Sequence, residues 1–196
     1  MQVDLNKEFA VPGSTTTAWT FLQDIKAVAS CMPGAEITEE LGDGKYKGKV
    51  KAKIGPATMA FNGGIDVKSI DADKREIHLI GKGQDTKGTS SASMDLRAWI
   101  VAGEEGNSTL KGEAAVTVTG KAASLGGRMM TQVSDQILNQ FGQNFANNIA
   151  SMGEGEEAEK AKEAVAEQPA ELNGFAFGWS VFVGWLKSLF SSQKTS

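Results

Sequence analysis

The chain has 196 residues, of which 22% are charged, and a formal net charge of −4 at pH 7. This length accommodates one compact domain of ordinary size plus an additional segment. A single cysteine excludes an intramolecular disulfide and is typical of a reducing compartment, and with a single histidine it excludes a Cys/His zinc site. The sequence carries no basic segment of the kind that binds nucleic acid, so we expect no nucleic-acid partner.

The first residues predict a strand followed by two short helices. Residues 3–11 alternate imperfectly between apolar and polar side chains and end at a Pro-Gly pair, as in a strand closed by a turn. Apolar side chains at helical spacing follow in residues 18–32, until a second Pro-Gly pair ends the second helix. No basic region precedes an apolar run here, so we expect no secretory signal and a cytoplasmic location.

The middle of the chain predicts an antiparallel meander. Five lysines occupy alternate positions from Lys45 to Lys53, which indicates a strand with one solvent-exposed face. We predict a sheet of about seven strands, because antiparallel strands with short turns can leave one face in water. Whether the Trp99 side chain lies on the inner or the outer face of the sheet stays open, because a bulge would move it to the other face. The period-two pattern continues through residues 58–68, 77–81, 92–100 and 110–118, with a first turn at Gly55-Pro56.

Beyond Gly120 the apolar period changes to that of a helix. Apolar residues from Leu125 to Ile149 recur every four positions, which predicts a helix of about eight turns. Such a helix is long enough to lie across the concave face of a curved sheet. The order of strand, two short helices, meander and long helix predicts an α+β helix-grip fold for residues 1–152.

Two further segments follow this predicted domain. Residues 153–171 hold seven Glu, two Lys and no aromatic residue, so we predict a flexible acidic linker with at most transient helix. Residues 172–196 are rich in aromatic side chains, but their apolar stretch ends at Lys187 and is too short to span a bilayer. We expect insertion into the membrane surface; docking into a partner's groove, oligomerisation or folding back on the domain are the alternatives. The expected anchor residues are Phe175, Phe177, Trp179, Phe182, Trp185, Leu186, Lys187, Leu189 and Phe190.

The inner face of the predicted sheet indicates either a ligand cavity or an ordinary core. Flexible and aromatic side chains of the long helix would face similar side chains of the strands, while glycines leave gaps between them. The same residues at the same spacing are also typical of a core, so both interpretations stay open. The facing residues are Met129, Met130 and Phe141 on the helix and Met59, Phe61 and Met94 on the strands, with gaps at Gly48, Gly63, Gly81 and Gly112.

The remaining polar features predict no catalytic residue and no metal site. His78 alternates with apolar neighbours and should point outward, and Cys31 should be a small buried residue. The segment Gly81-Lys-Gly83 lacks the rest of a phosphate-binding motif. The lysine face keeps a strand soluble, or else forms a docking surface for an acidic partner or an anionic membrane. We therefore expect a protein that is not an enzyme.

Several sequence blocks resemble the G-subunit family of carbon monoxide dehydrogenase. The resemblance covers residues 1 to about 150. It implies a START-like and pollen-allergen-like helix-grip fold, with a hydrophobic pocket under the long helix. The blocks are Phe9-Ala-Val-Pro12, Trp19-Thr-Phe-Leu-Gln-Asp24, Cys31-Met-Pro-Gly-Ala-Glu36, Tyr46 to Pro56, Phe61-Asn-Gly63, Gly81-Lys-Gly83, Val118-Thr-Gly-Lys-Ala122 and Leu125-Gly-Gly-Arg128.

The resemblance also implies a function. Members are associated with molybdenum-containing carbon monoxide dehydrogenases, and some carry a hydrophobic C-terminal segment that places the enzyme at the inner face of the cytoplasmic membrane. We hypothesise that the pocket binds a respiratory quinone, menaquinone or ubiquinone, with no covalent cofactor and no metal, in a peripheral membrane protein. The expected lining is Trp19, Met59, Phe61, Ile65, Met94, Leu96, Met129, Met130, Val133, Ile137 and Phe141.

Two alternatives compete with this hypothesis. The protein could be an assembly or maturation factor for the dehydrogenase cofactor, with no small-molecule ligand. It could also be a cyclase-type enzyme, as found among relatives of this fold, which would require polar groups on the inner face. No ionisable residue is among the inner positions named above.

Overall fold

The computed structural model describes residues 1–54, 57–153, 156–166 and 172–173. The predicted turn at Gly55-Pro56 and all the predicted anchor residues lie outside the described residues. The helices are α1 (Thr15–Gln23), α2 (Ile25–Cys31), α3 (Gly127–Ser151) and α4 (Glu156–Ala166), with short 3-10 turns at Glu104–Gly106 and Lys121–Leu125. The strands are β1 (Gln2–Val11), β2 (Ala35–Gly42), β3 (Lys45–Ile54), β4 (Ala57–Asp71), β5 (Glu76–Asp85), β6 (Ser90–Ala102), β7 (Ser108–Gly120) and β8 (Leu172–Asn173).

Seven of the strands form one antiparallel sheet in the order β1-β7-β6-β5-β4-β3-β2. The two-residue strand β8 pairs in parallel with the end of β3. The sheet lies against α3, with α1 and α2 after β1, so the predicted α+β helix-grip fold is confirmed. The predicted parity is also confirmed on β3, where the lysines from Lys45 to Lys51 are exposed and Tyr46 and Gly48 are half-buried. No register shift interrupts β6, so Trp99 lies on the outer face.

The edge strand β2 is the strand that period-two patterning does not predict. Its register with β3 shifts twice, between Ile37 and Glu39 and between Glu40 and Gly42. Each shift moves the side chains that follow to the opposite face, so the sequence of β2 does not alternate. Its exposed glutamates suit a sheet edge, because charges discourage pairing with another chain.

Helix α3 runs alongside β1 in the same direction. Lys7 pairs with Asp135 at 2.7 Å, the ring of Phe9 packs against Gly142, and a Cβ on Gly13 would lie 3.4 Å from Ile149. Later residues of β1 therefore lie against later residues of α3, as in two elements that run in the same direction. We call the end of the sheet where β1, β4 and β6 finish the closed end, and the end where β3, β5 and β7 finish the open end. Helix α3 begins at the open end and finishes at the closed end.

The core lies at the closed end. Ile77 and Leu79 of β5 and Ile100 of β6 are buried there against α1, α2 and Phe145 of α3, which is fully buried. Ring contacts join Phe145 to Phe21 at 5.1 Å between centroids. Burying an apolar side chain of this size contributes about 1.5–3 kcal/mol, so this cluster accounts for much of the stability of the domain.

The start of the long helix differs from the sequence prediction. The helix expected directly after Gly120 is preceded by a 3-10 turn, and α3 begins only after Gly126. Both of these glycines have positive φ, +71° and +82°, which interrupts a right-handed helix.

The segment predicted as a flexible linker contains the helix α4. Its Ala158 and Ala161 are buried where α4 contacts α3. Small side chains three residues apart share one helix face, which allows close packing; whether residues 153–171 act as a linker stays a prediction.

Candidate ligand-binding cleft

The two halves of α3 differ in burial. Its buried residues are Gly142, Asn144, Phe145 and Ile149, all in the half nearer the closed end. In the half nearer the open end, Met130 is only half-buried and Met129 is 43% exposed. An amphipathic helix normally buries its apolar face along its whole length. We call this half the open half and the other the closed half; the apolar face of the open half is less covered by the described residues than that of the closed half.

The strands opposite the open half of α3 show the same change. On β5, inner residues Ile77 and Leu79 are buried at the closed end, but inner residues Phe61 of β4 and Met94 of β6, nearer the open end, are half-buried. Val50, on the inner face of β3, is 40% exposed. We call the space between these strands and the open half of α3 the cleft. We define its mouth by the inner-face residues Val50, Met59 and Phe61 toward the open end of β3 and β4, and by Met129 and Met130 in the first turn of α3.

Glycines remove side chains from the inner face beside the cleft. Gly48, Gly63 and Gly83 lie in register across β3, β4 and β5. A Cβ on Gly63 would lie 1.9 Å from the backbone oxygen of Lys82, so the backbones approach too closely there for any other residue. A Cβ on Gly81 would only touch the Met94 side chain, at 3.5 Å. The inner face therefore has room for at least a methyl group at Gly81, whereas it has none at Gly63.

The predicted lining residues divide into three groups. Trp19 is 8% exposed and belongs to the core of the closed end. Ile65, Met94, Leu96 and Phe141 are partly buried and pack against that core, so they form the floor of the cleft. Of the remaining residues, Met59, Phe61, Met130, Val133 and Ile137 are half-buried and Met129 is exposed; that they line a ligand cavity stays a prediction. The floor is reinforced by ring contacts of Phe141 with Phe9, at 6.2 Å, and with Phe145, at 6.0 Å.

The inner face includes an ion pair that the sequence prediction missed. Lys7 lies between Leu5 and Phe9 on the inner side of β1, and its amine pairs with Asp135 of α3 at 2.7 Å. Both side chains are partly exposed, so the pair contributes at most about 1 kcal/mol to stability. Lys7 has the same strand parity as the apolar residues Val3, Leu5 and Phe9, and this parity is the signal that places a lysine on the inner face. The inner face is thus not free of ionisable groups.

A polar contact fixes α2 against the closed half of α3. The buried Asn144 amide donates to the Cys31 carbonyl at 2.9 Å, and Asn148 donates to the Cys31 sulfur at 3.5 Å. Burial raises the pKa of the Cys31 thiol to about 12. Cys31 is therefore neutral and inaccessible at physiological pH, as expected from its sequence context.

Charges of the outer face are mostly paired. Lys47 and Lys49 of β3 pair with Glu39 and Glu36 of β2, at 2.8 and 2.9 Å. This cross-strand pairing favours the interpretation of the lysine face as a soluble strand surface over that of a docking surface for an anionic membrane. His78 lies on the outer face as predicted, with its Nε2 2.8 Å from Asp95.

A second concavity of about 400 Å³ lies on the outside of the domain, between α2 and β2. Lys26 and the glutamates of β2 line it, and Lys26 forms an ion pair with Glu40 across it. A concave surface that is this charged and this open does not suit a lipophilic molecule. The cleft under α3 is the better candidate for a ligand site.

The profile of the carbon monoxide dehydrogenase G-subunit (CoxG) family matches residues 8–150, which include most of the sheet, the core and almost all of α3. The chain belongs to this family. None of the curated proteins with which it was compared matches the chain. The family resemblance seen in the sequence is therefore confirmed, and it makes this protein an accessory subunit of carbon monoxide dehydrogenase.

Solved structures show how widely the fold is shared. A conserved protein from Geobacillus kaustophilus is 21% identical, with a TM-score of 0.68 over 76% of this chain and 95% of that chain. The Zhui aromatase/cyclase from Streptomyces sp. R1128 is 14% identical, with a TM-score of 0.55 over 79% of this chain and 100% of its own. A START superfamily protein from Mycobacterium smegmatis is 16% identical, with a TM-score of 0.53 over 78% and 99% of the two chains. At these identities the likeness establishes a START-like fold alone.

Within residues 1–54, 57–153, 156–166 and 172–173, no helix is long and apolar enough to cross a membrane.

Proposed function

We propose that this protein binds an isoprenoid quinone, menaquinone or ubiquinone, in the cleft and recruits carbon monoxide dehydrogenase to the cytoplasmic face of the cell membrane. The observation that carries the proposal is the incomplete burial of apolar side chains in the open half of α3 and on the inner face of strands β3, β4 and β6. A core that served stability alone would bury these side chains, because burial would add about 25 cal/mol for each Å² buried.

The chemistry of a quinone suits this space. Electrons from CO oxidation have to reach a quinone in the membrane, and the isoprenoid chain keeps the quinone from crossing water unaided. Met59, Met94 and Met130 offer flexible, polarizable side chains that adapt to an isoprenoid chain. Tyr46 and Lys7 on the inner face offer hydrogen-bond donors for the quinone carbonyl oxygens. In this proposal the polar groups bind the ring and perform no catalysis.

Membrane recruitment rests on residues 172–196. Tryptophan and phenylalanine favour the headgroup region of a bilayer, and Lys187 and Lys194 suit anionic lipid. A single interfacial anchor binds reversibly, so contact with the dehydrogenase would supply the second attachment. The role of residues 153–171 as a spacer is part of the same proposal, with α4 as its helical part.

The proposal is tested by coupling the enzyme to quinone in a bilayer. Vesicles that contain menaquinone are mixed with CO and purified dehydrogenase, with either the full chain or a chain that ends at Ala166, and quinone reduction is followed by absorbance. We expect reduction to be about tenfold slower with the shorter chain, because recruitment raises the local concentration of enzyme. CO oxidation with a soluble dye as electron acceptor is the control and should be equal in both. Equal rates of quinone reduction would contradict the recruitment role.

A further inference from the structure

The turns at the open end carry exposed cations that form no ion pair among the described residues. Lys87 lies in the β5–β6 turn, Lys121 in the 3-10 turn that precedes α3, and Arg128 in the first turn of α3. The lysines on the outer face of β3 differ from these three, because Lys47 and Lys49 pair with glutamates of β2. The charge of the three open-end cations is therefore available to a partner outside the chain.

Hydrogen bonds join these turns into one surface. The Lys121 amide donates to the Thr89 carbonyl at 3.1 Å, and the Ala122 amide donates to the Ser90 hydroxyl at 3.0 Å. Asp85 is the one carboxylate in the sequence of these turns, and it accepts from the amides of Thr89 and Ser90 at 2.6 and 3.0 Å. Its oxygens hold the turn closed, and the surface as a whole is cationic.

The turns at the closed end carry the opposite charge. They are the β2–β3, β4–β5 and β6–β7 connections. Their cations are Lys74, which pairs with Asp71 at 3.4 Å, and Arg75, which is half-buried. Strand β6 has 13 residues, so about 40 Å separate the two ends. The exposed carboxylates of the closed-end turns are Asp43, Asp73, Glu104 and Glu105.

This charge asymmetry suits an anionic bilayer at the open end. The screening length at physiological ionic strength is about 8 Å, so such a bilayer would attract the open-end cations without repelling the distant carboxylates. Met129 directly follows Arg128 and is 43% exposed. An exposed apolar side chain beside cations favours a membrane surface over an acidic protein as the partner.

The last described strand lies at the same end. Strand β8 pairs with Ala52 and Lys53, where β3 reaches the open end. The membrane anchor of the proposed function follows β8 in the chain, so it is attached at the end that carries the unpaired cations. The two attachments would therefore act on one side of the domain.

We propose that the open end is a docking surface for an anionic lipid bilayer, with Lys87, Lys121 and Arg128 against the headgroups. The proposal rests on the membrane recruitment in the proposed function and deepens it, because it assigns the end of the domain that faces the bilayer. The mouth of the cleft lies at this end. A lipophilic ligand would then pass between the cleft and the bilayer without crossing water.

The first test measures which end of the full chain faces the membrane. A fluorophore is attached at Thr86→Cys in an open-end turn or at Ala72→Cys in a closed-end turn; both positions are exposed and uncharged, and the native Cys31 is buried. The vesicles contain phosphatidylcholine and phosphatidylglycerol, with a quencher on the headgroups. We expect quenching of the Thr86→Cys label to be at least about threefold stronger, because the other label would lie about 40 Å from the bilayer.

The second test measures the affinity of the full chain for the same vesicles by sedimentation. One variant combines Lys87→Gln, Lys121→Gln and Arg128→Gln. We expect it to bind at least about tenfold more weakly than the unsubstituted chain, since each cation near an anionic surface contributes about fivefold. The control variant combines Lys45→Gln, Lys47→Gln and Lys49→Gln, which gives the same net charge, and its affinity should stay within about twofold of the unsubstituted chain.

Three results would overturn the proposal. The first is equal quenching of the two labels on a chain that binds the vesicles, which would leave recruitment intact. The second is equal affinity of the two variants for the vesicles. The third is slower quinone reduction by the open-end variant with unchanged vesicle binding, which would assign the three cations to the dehydrogenase. Failure of the recruitment itself differs from all three, because the full chain would then bind neither these vesicles nor vesicles of phosphatidylcholine alone, and both proposals would fall.

Discussion

Replacing Gly63 with alanine is expected to lower the free energy of unfolding by about 3 kcal/mol, which is in the upper range for a single substitution. The new Cβ would lie 1.9 Å from the backbone oxygen of Lys82 and 2.6 Å from the Cα of Gly83. Backbone atoms on a paired strand cannot move aside as a side chain can, so the β4–β5 pairing would have to distort. The measurement is chemical denaturation followed by circular dichroism.

Gly81→Ala is the matched control for this prediction. Gly81 lies on the adjacent strand and on the same inner face, but a Cβ there would contact only the Met94 side chain, at 3.5 Å and 3.8 Å. We expect its free energy of unfolding to stay within about 1 kcal/mol of the unsubstituted chain, since alanine also restricts the unfolded state. If both variants lost the same free energy of unfolding, this would contradict the conclusion that the inner face excludes a Cβ at Gly63 but accommodates one at Gly81.

Filling the same space with a large side chain should block the ligand. Gly81→Trp would place an indole over Met94 and Ile65, at the floor of the cleft, and we expect the affinity for a short-chain menaquinone analogue to fall by about tenfold or more. The measurement is isothermal titration calorimetry, with unfolding midpoints to establish that each variant folds. The tenfold loss corresponds to about 1.4 kcal/mol of binding free energy.

The control for the filling variant is Lys82→Trp, on the next residue of β5. Lys82 is exposed, and its side chain lies on the outer face of the sheet. It introduces the same indole without entering the cleft, so its affinity for the analogue should match that of the unsubstituted chain. If Gly81→Trp bound the analogue as tightly as Lys82→Trp, the ligand site would have to lie elsewhere.

Much of this architecture follows from patterns of side chains along the chain. Lysines at every second position of β3 predict its inner and outer faces, because side-chain direction in a strand has a period of two. The apolar recurrence from Met129 to Ile149 likewise predicts α3. Because each of these elements is regular over ten or more residues, its periodicity can be recognised in the sequence without knowledge of its neighbours.

The parts that the sequence did not predict depend on contacts between distant elements. The two register shifts of β2 are visible only against β3. The helix α4 gains its stability from the contact of Ala158 and Ala161 with α3, whereas its acidic composition alone predicts a flexible linker. The position of α3 against β1 depends on the contact of the Phe9 ring with Gly142, and no local pattern in the sequence encodes that contact.

The most direct test of the central claim is to identify the small molecule that is bound to the purified domain. A chain that ends at Ala166 keeps α4 packed on α3 and removes the aromatic segment, so that lipid bound to that segment cannot contribute. After purification from cells that make isoprenoid quinones, it is extracted with organic solvent and analysed by mass spectrometry, beside the Gly81→Trp variant of the same length. We predict close to one isoprenoid quinone per chain, and much less in the variant. An extract without quinone, before and after incubation with quinone-containing vesicles, would contradict the carrier role.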